Sequence, residues 1–145
     1  MKVKIKKLNS NAVVPSYQKT GDCGLDLTAT SKHYEKSSRT ITYGTSLAFE
    51  IPKGFMGLIF QRSSVYKKSL SLCNAVAVID ENFRGEVTLK FKLDDNARPF
   101  KDATYDIGDR IGQLIIMPYP NIEFEEVEEL SSSVRGVEGW GSSGN

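Results

Sequence analysis

NAVAVIDENFRGEVTLKFKL (residues 74–93) alternates apolar and polar side chains on both sides of a polar interruption, and it decides how the rest of the chain is read. Val87, Leu89, Phe91 and Leu93 recur every second residue, the period of a strand with one buried face. NAVAVI reads as a second short strand, and the residues from Asp80 to Gly85 between them are turn formers. The spacing predicts a hairpin with Asp80 in its turn.

Outward from this segment the same two-residue period returns. It is present in Val3, Ile5 and Leu8 among lysines, in Leu25 and Leu27, in Phe55 to Phe60, and in Ile122 and Phe124. Turn signals separate these runs at Pro15, Gly21, Pro52-Lys53-Gly54, Asp94-Asp95-Asn96, Gly108-Asp109 and Pro118 to Asn121. The pattern predicts an all-β sandwich or barrel. No stretch longer than about two turns shows a helical apolar face; Ser63 to Ser69 could form a short turn of helix at most.

A chain of 145 residues fits one domain. Hydrophobic content of 39% and charged content of 26% match a soluble globular protein rather than a disordered or membrane-embedded one. Nineteen Lys and Arg against eighteen Asp and Glu leave a net charge of +1, too little for non-specific nucleic-acid binding, so any anion site must be local. The longest apolar run, Ile111 to Pro118, is far too short to span a bilayer, and the lysine-rich start has no signal-peptide core after it; a cytoplasmic protein without a membrane partner is expected. Cys23 and Cys73 have neither CxxC nor histidine-paired spacing and read as reduced thiols. His33, the single histidine, reads as a surface residue.

Glu123, Glu125, Glu126, Glu128 and Glu129 interleave with Ile122, Phe124 and Val127, which predicts the solvated face of a strand rather than a metal site. Beyond Leu130 the sequence SSSVRGVEGWGSSGN holds four glycines and five serines and almost nothing that could form a core. The expected organisation is a β domain over residues 1–130 and a flexible arm over 131–145.

Five stretches stand out together: GDCGLDLTA (21–29), FQRSSVYKK (60–68), NAVAVIDENFRG (74–85), GDRIGQLI (108–115) and RGVEGWGSSG (135–144). Singly each is a common loop sequence, and Asp80 alone reads as a turn residue. In this order and spacing they resemble the five motifs of the trimeric dUTPase family, over nearly the whole chain. The resemblance implies a jelly-roll-like β fold, a homotrimer with sites between subunits, Mg²⁺ as cofactor, and hydrolysis of dUTP to dUMP and pyrophosphate, which limits uracil in DNA and supplies dUMP for thymidylate synthesis.

It also implies roles, each suited to the residue type. Asp80 would be the general base for the attacking water. Asn74 and the backbone at Val78 and Ile79 would read uracil, and a mismatch that strands buried polar groups would reject cytosine. Phe83 stands where the family usually has Tyr against the deoxyribose, and the position of Thr88 lies near the nucleotide. Arg62, Ser63, Ser64 and Gln113 would donate to phosphate oxygens. Asp26 would hold Mg²⁺ through water, in keeping with a cation that retains waters and takes phosphate ligands. In the arm, Arg135 would meet the γ-phosphate, Ser142 and Ser143 would cradle phosphate, and Trp140 would stack on the base. Asp109 and Arg110 read as structural, as an internal or intersubunit ion pair, and Gly112 stands where the family usually has Ala. Tyr66, Lys67 and Lys68 read as solubilising or as an extension of the phosphate site.

Two other readings stay open. A dCTP deaminase of related architecture would release ammonia from dCTP, although the Asp-bearing VID segment and the aromatic arm are dUTPase traits. A non-catalytic nucleotide-binding regulator could keep the pocket without turnover.

Overall fold

A computed structural model of the chain describes residues 1–94, 103–137 and 139. Its strands are β1 (Lys4–Lys7), β2 (Leu25–Thr28), β3 (Ser31–Glu35), β4 (Thr40–Gly44), β5 (Leu47–Glu50), β6 (Phe55–Phe60), β7 (Leu70–Leu72), β8 (Val76–Ile79), β9 (Thr88–Leu93) and β10 (Arg110–Pro118). One 3-10 helix, Ser63–Lys67, follows β6, where a single helical turn was the most the sequence allowed.

Two four-stranded antiparallel sheets face each other, ordered β2-β10-β6-β8 and β3-β4-β9-β7, with β1 and β5 as a separate ribbon. The all-β, jelly-roll-like fold is therefore present. Strand β9 shows why these residues make a sheet: Leu89, Phe91 and Leu93 are buried while Thr88, Lys90 and Lys92 are exposed, a perfect alternation. Between the sheets lie Leu27, Ile59, Ile111 and Leu114 from one and Ile41, Tyr43, Leu89, Phe91 and Leu93 from the other. Tyr43, Phe91 and Tyr105 pack edge to face with ring centroids 5.8–5.9 Å apart. The Tyr43 hydroxyl donates to the Tyr105 carbonyl and accepts from the Tyr105 N–H, both at 3.1 Å. Burial pushes that hydroxyl up to about 12, so it stays a donor at any physiological pH.

Two expectations are corrected. The segments around Asp80 are not a hairpin: β8 pairs with β6, whereas β9 pairs with β4 and β7 in the opposite sheet. Residues 80–87 thus cross from one sheet to the other, and the buried side chains of β8 and β9 join one core between the sheets instead of lying side by side in one sheet. Nor do Ile122 and Phe124 form a strand: residues 119–130 carry none, and the two side chains are 65% and 92% exposed. Their alternation has no sheet to cover within this chain. The strands β3, β4, β5, β7 and β10 were not read from the sequence; β3 is exposed throughout and β4 is buried almost throughout, so neither shows the alternating signature. His33 sits on β3 and is exposed, as expected. The turn at residues 94–96 extends beyond the described residues.

Candidate active site

Asp26 on β2 is only 6% exposed, and three side chains converge on it. Arg62 Nε and Gln113 Nε2 donate to its Oδ1, each at 3.2 Å, and Arg110 Nη1 donates to its Oδ2 at 2.9 Å. The register explains the convergence. Gln113 lies opposite Asp26 on one side and opposite Phe60 on the other, and Arg62 follows two residues after Phe60.

Arg110 is three residues from Gln113, so in an unbroken strand the two would point to opposite faces. A bulge puts them on the same side: Arg110 pairs with Thr28 and Gly112 with Leu27, leaving Ile111 as the extra residue, fully buried in the core. Within the chain Asp109 and Arg110 take different partners rather than each other. Arg110 bonds Asp26, and the Asp109 carboxylate accepts from the Asp106 N–H at 2.8 Å, closing its own turn. Gly112 is not a neutral replacement either, because a Cβ there would stand 2.5 Å from Leu89 Cδ2 and 3.1 Å from the Phe60 carbonyl.

Beside this cluster lies a cavity of about 480 Å³ lined by Arg62, Ser64, Lys67, Lys68, Arg110 and Tyr105 among others. Among the described residues, four cations border it against the carboxylate of Asp109 in its lining and that of Asp26 beside it, a positive excess suited to a polyanion. Ser64 Oγ accepts from Arg62 Nη1 at 3.4 Å, and Ser63 is exposed at the start of the 3-10 helix. Lys67 and Lys68 therefore border the anion pocket rather than only the open surface.

Asp80 stands elsewhere. It follows β8, is exposed, and lines a second cavity of about 500 Å³ with Met56, Val78, Glu81, Asn82, Tyr119, Pro120 and Ile122. Glu81 Oε2 accepts from the Gly54 N–H at 2.5 Å and from the Tyr119 hydroxyl at 3.0 Å. That bond to the Glu81 carboxylate raises the Tyr119 hydroxyl above the ordinary phenol range. Val78 and Thr88 are exposed and Ile79 half-buried. Asn74 is exposed in the tight turn between β7 and β8, where Ala75 has φ 53°. The Phe83 ring lies over Gly85, where a Cβ would come within 2.6 Å of it, so the glycine is what lets the ring fold back.

Within one chain the two groups do not meet. Asp26, Gln113, Phe60 and Val76 form a row across the sheet β2-β10-β6-β8, and Asp80 lies four residues beyond Val76. Four strand residues and three strand spacings put the Asp26 and Asp80 backbones about 20 Å apart. Arg135 is exposed and donates from Nη2 to the Gly139 carbonyl at 3.0 Å, in the segment after the sheets. Trp140, Ser142 and Ser143 lie outside the described residues.

The side chains that sequence reasoning missed are Arg110 as a partner of Asp26, and Glu81 with Tyr119 beside Asp80. Only the bulge reveals the first; only the approach of the chain after β10 to the turn before β6 reveals the second. Among the described residues no cluster of three or more His, Cys, Asp or Glu side chains could hold a metal ion by itself.

Relatives match the chain over nearly its whole length. The deoxyuridine 5'-triphosphate nucleotidohydrolase of Corynebacterium glutamicum is 37% identical over 143 residues, 98% of this chain and 94% of that protein. The enzyme of the same name from Helicobacter hepaticus is 39% identical, over 99% and 89%. The dUTPase of Staphylococcus bacteriophage 80alpha, solved with dUPNHPP, superposes with a TM-score of 0.82 at 28% identity over 99% of each chain. The dUTPase family model matches residues 10–144, and the chain belongs to the dUTPase family.

Proposed function

We propose that this protein hydrolyses dUTP at the α-phosphorus to dUMP and pyrophosphate, in a site that one chain begins and another completes. The observation that carries the reading is the separation of about 20 Å between Asp80 and Asp26 across one sheet. A base must come within hydrogen-bond reach of the water it activates, directly or through one further water. A carboxylate that far from the cationic pocket can serve that pocket only on a neighbouring copy. The apolar side of residues 122–130 supports the same conclusion, since among the described residues Ile122, Phe124 and Leu130 are left exposed. A homotrimer fits both features.

In this reading Asp80 accepts the proton of the attacking water. Asn74 and the backbone at Val78 and Ile79 read uracil, Phe83 packs on the deoxyribose, and Thr88 borders the nucleotide. Arg62, Ser63, Ser64 and Gln113 bind the phosphates, joined from the arm by Arg135, Ser142 and Ser143, while Trp140 stacks on the base. Arg135 and Phe83 are both exposed, and Arg135 holds the Gly139 carbonyl.

The donor set around Asp26 fits Mg²⁺ in one manner only. A carboxylate has about four acceptor positions, and two guanidinium groups and an amide use three. One remains to accept from a metal-bound water, whereas direct ligation beside Arg62 and Arg110 would set cation against cations. Mg²⁺ would therefore arrive with the triphosphate and offset its charge. The exposed thiols Cys23 and Cys73 suit a reducing compartment, in keeping with the cytoplasm.

The test is release of pyrophosphate from dUTP with Mg²⁺, measured beside dCTP, dTTP and UTP. Turnover of dUTP alone is expected; ammonia release from dCTP, or binding of dUTP without turnover, would sink the reading.

A further inference from the structure

The loop that carries Asp80 is closed by bonds within itself. The Phe83 N–H donates to the Asp80 carbonyl at 3.1 Å, and Arg84 Nη1 donates to the carbonyls of Glu81 and Phe83 at 2.7 and 2.9 Å. These fix the shape of residues 80–84 but not their aim relative to the sheets. Among the described residues, the hydrogen bonds that tie residues 80–84 to other parts of the fold end on one atom, Glu81 Oε2, while the far end of the crossing is held separately by Glu86 Oε1, which accepts from the Ser46 N–H at 2.8 Å.

That atom sits at a junction of three chain segments. Gly54 belongs to the turn that starts β6, with φ 79° aiming its N–H outward from the Pro52–Phe55 bond. Tyr119 belongs to the chain leaving β10, and its own N–H donates to the Gly54 carbonyl at 3.0 Å. Gly54 and Tyr119 therefore hold each other and present two donors to one carboxylate. Hydrogen bonds to an ionised acceptor are roughly twice as strong as neutral ones.

We propose that Glu81 is a positioning residue for the base: it fixes the direction in which Asp80 points by clamping the loop onto Gly54 and Tyr119. The inference rests on the reading of Asp80 as general base. Glu81 lines the same cavity as Asp80, but its carboxylate is occupied by the turn and the phenol. Its neighbour Asp80 is exposed and, among the described residues, its side chain has no hydrogen-bond partner of its own. The orientation of Asp80 is thus set by its backbone, and the backbone by Glu81. A base displaced by about 1 Å can lose up to ~10²-fold in rate, so a clamp one residue away has leverage on turnover out of proportion to its effect on folding.

The experiment compares kcat and KM for dUTP, affinity for the non-hydrolysable dUPNHPP, and thermal midpoints in the wild type, Glu81→Ala, Glu81→Gln and Tyr119→Phe. Glu81→Ala should lower kcat by about 10-fold or more while KM and analogue affinity stay within about 2-fold, because the loop is misaimed rather than the pocket lost. Glu81→Gln keeps an oxygen that accepts from both donors and should restore kcat to within about 3-fold of wild type. Tyr119→Phe removes one of the two donors and should fall between, which keeps the proposal testable if Glu81→Ala misfolds. Unchanged kcat in Glu81→Ala and Tyr119→Phe overturns the clamp, as does a kcat loss matched by lost analogue affinity. Failure of Glu81→Gln to rescue overturns it too, since charge rather than position would then be at work. A wild type inactive on dUTP overturns the proposed function itself, an outcome distinct from an active wild type with unaffected variants.

Discussion

Replacing Asp80 with asparagine is expected to lower turnover of dUTP by about 10²–10⁴-fold, the contribution of a positioned general base. Binding should survive. Asn is nearly the same size, and Asp80 is exposed, so the change belongs with surface substitutions whose stability effects stay within about 0.5 kcal/mol. The donors expected to hold phosphate that touch Asp26, Arg62 and Gln113, lie on a different part of the sheet and keep that partner. Affinity for dUPNHPP, measured by titration calorimetry, should therefore stay within a few fold while pyrophosphate release collapses. A protein that only binds nucleotide would show no difference between the two chains.

Asp26→Asn should act on both stability and turnover. Asparagine offers one acceptor and places an NH₂ where Oδ2 now accepts from Arg110 at 2.9 Å, or where Oδ1 accepts from Arg62 and Gln113. Either way a donor faces a donor. Leaving a buried polar group unsatisfied costs about 1–3 kcal/mol, and the Arg110 side chain, 45% exposed, recovers part of that through water. A fall of a few degrees in the unfolding midpoint follows, read by differential scanning calorimetry. The loss of activity should be larger than the loss of stability. Arg62 and Gln113 are aimed by Asp26, and the same carboxylate has the remaining acceptor position for a magnesium-bound water. Turnover should drop by about 10²-fold, the cost of misplacing groups that orient a substrate. Raising Mg²⁺ should recover only part of it.

The fold class was legible because strands with one wet face, β9 above all, announce themselves by a two-residue period. Strands without a contrast between faces stayed silent: β4 is buried almost throughout and β3 exposed throughout. The segment 74–93 was read correctly as strand, turn and strand, yet its halves belong to different sheets, since period reports which side is buried and not against what. The same limit misplaced Ile122 and Phe124, whose alternation is real but has nothing to cover in a single chain. For the site, the motif order brought Asp26, Arg62 and Gln113 into one list, and the register joins them in space. Arg110 was read as structural, in an internal or intersubunit ion pair, and its bond to Asp26 was missed because the one-residue bulge that turns it there has no signature in residue types. Glu81 and Tyr119 were invisible for another reason: they are 38 residues apart, and although Glu81 lies in the third motif its partner Tyr119 lies in none.

The central claim is that the base and the cationic pocket of one site come from different chains. It is tested by refolding Asp80→Asn and Asp26→Asn chains together in equal amounts and measuring pyrophosphate release from dUTP. Each variant alone should be nearly inactive. In randomly mixed trimers about one quarter of the sites would take an intact Asp80 from one copy and an intact Asp26 from its neighbour, restoring about a quarter of wild-type activity. If the mixture is no more active than the two variants summed, both residues act from the same chain and the shared site is wrong.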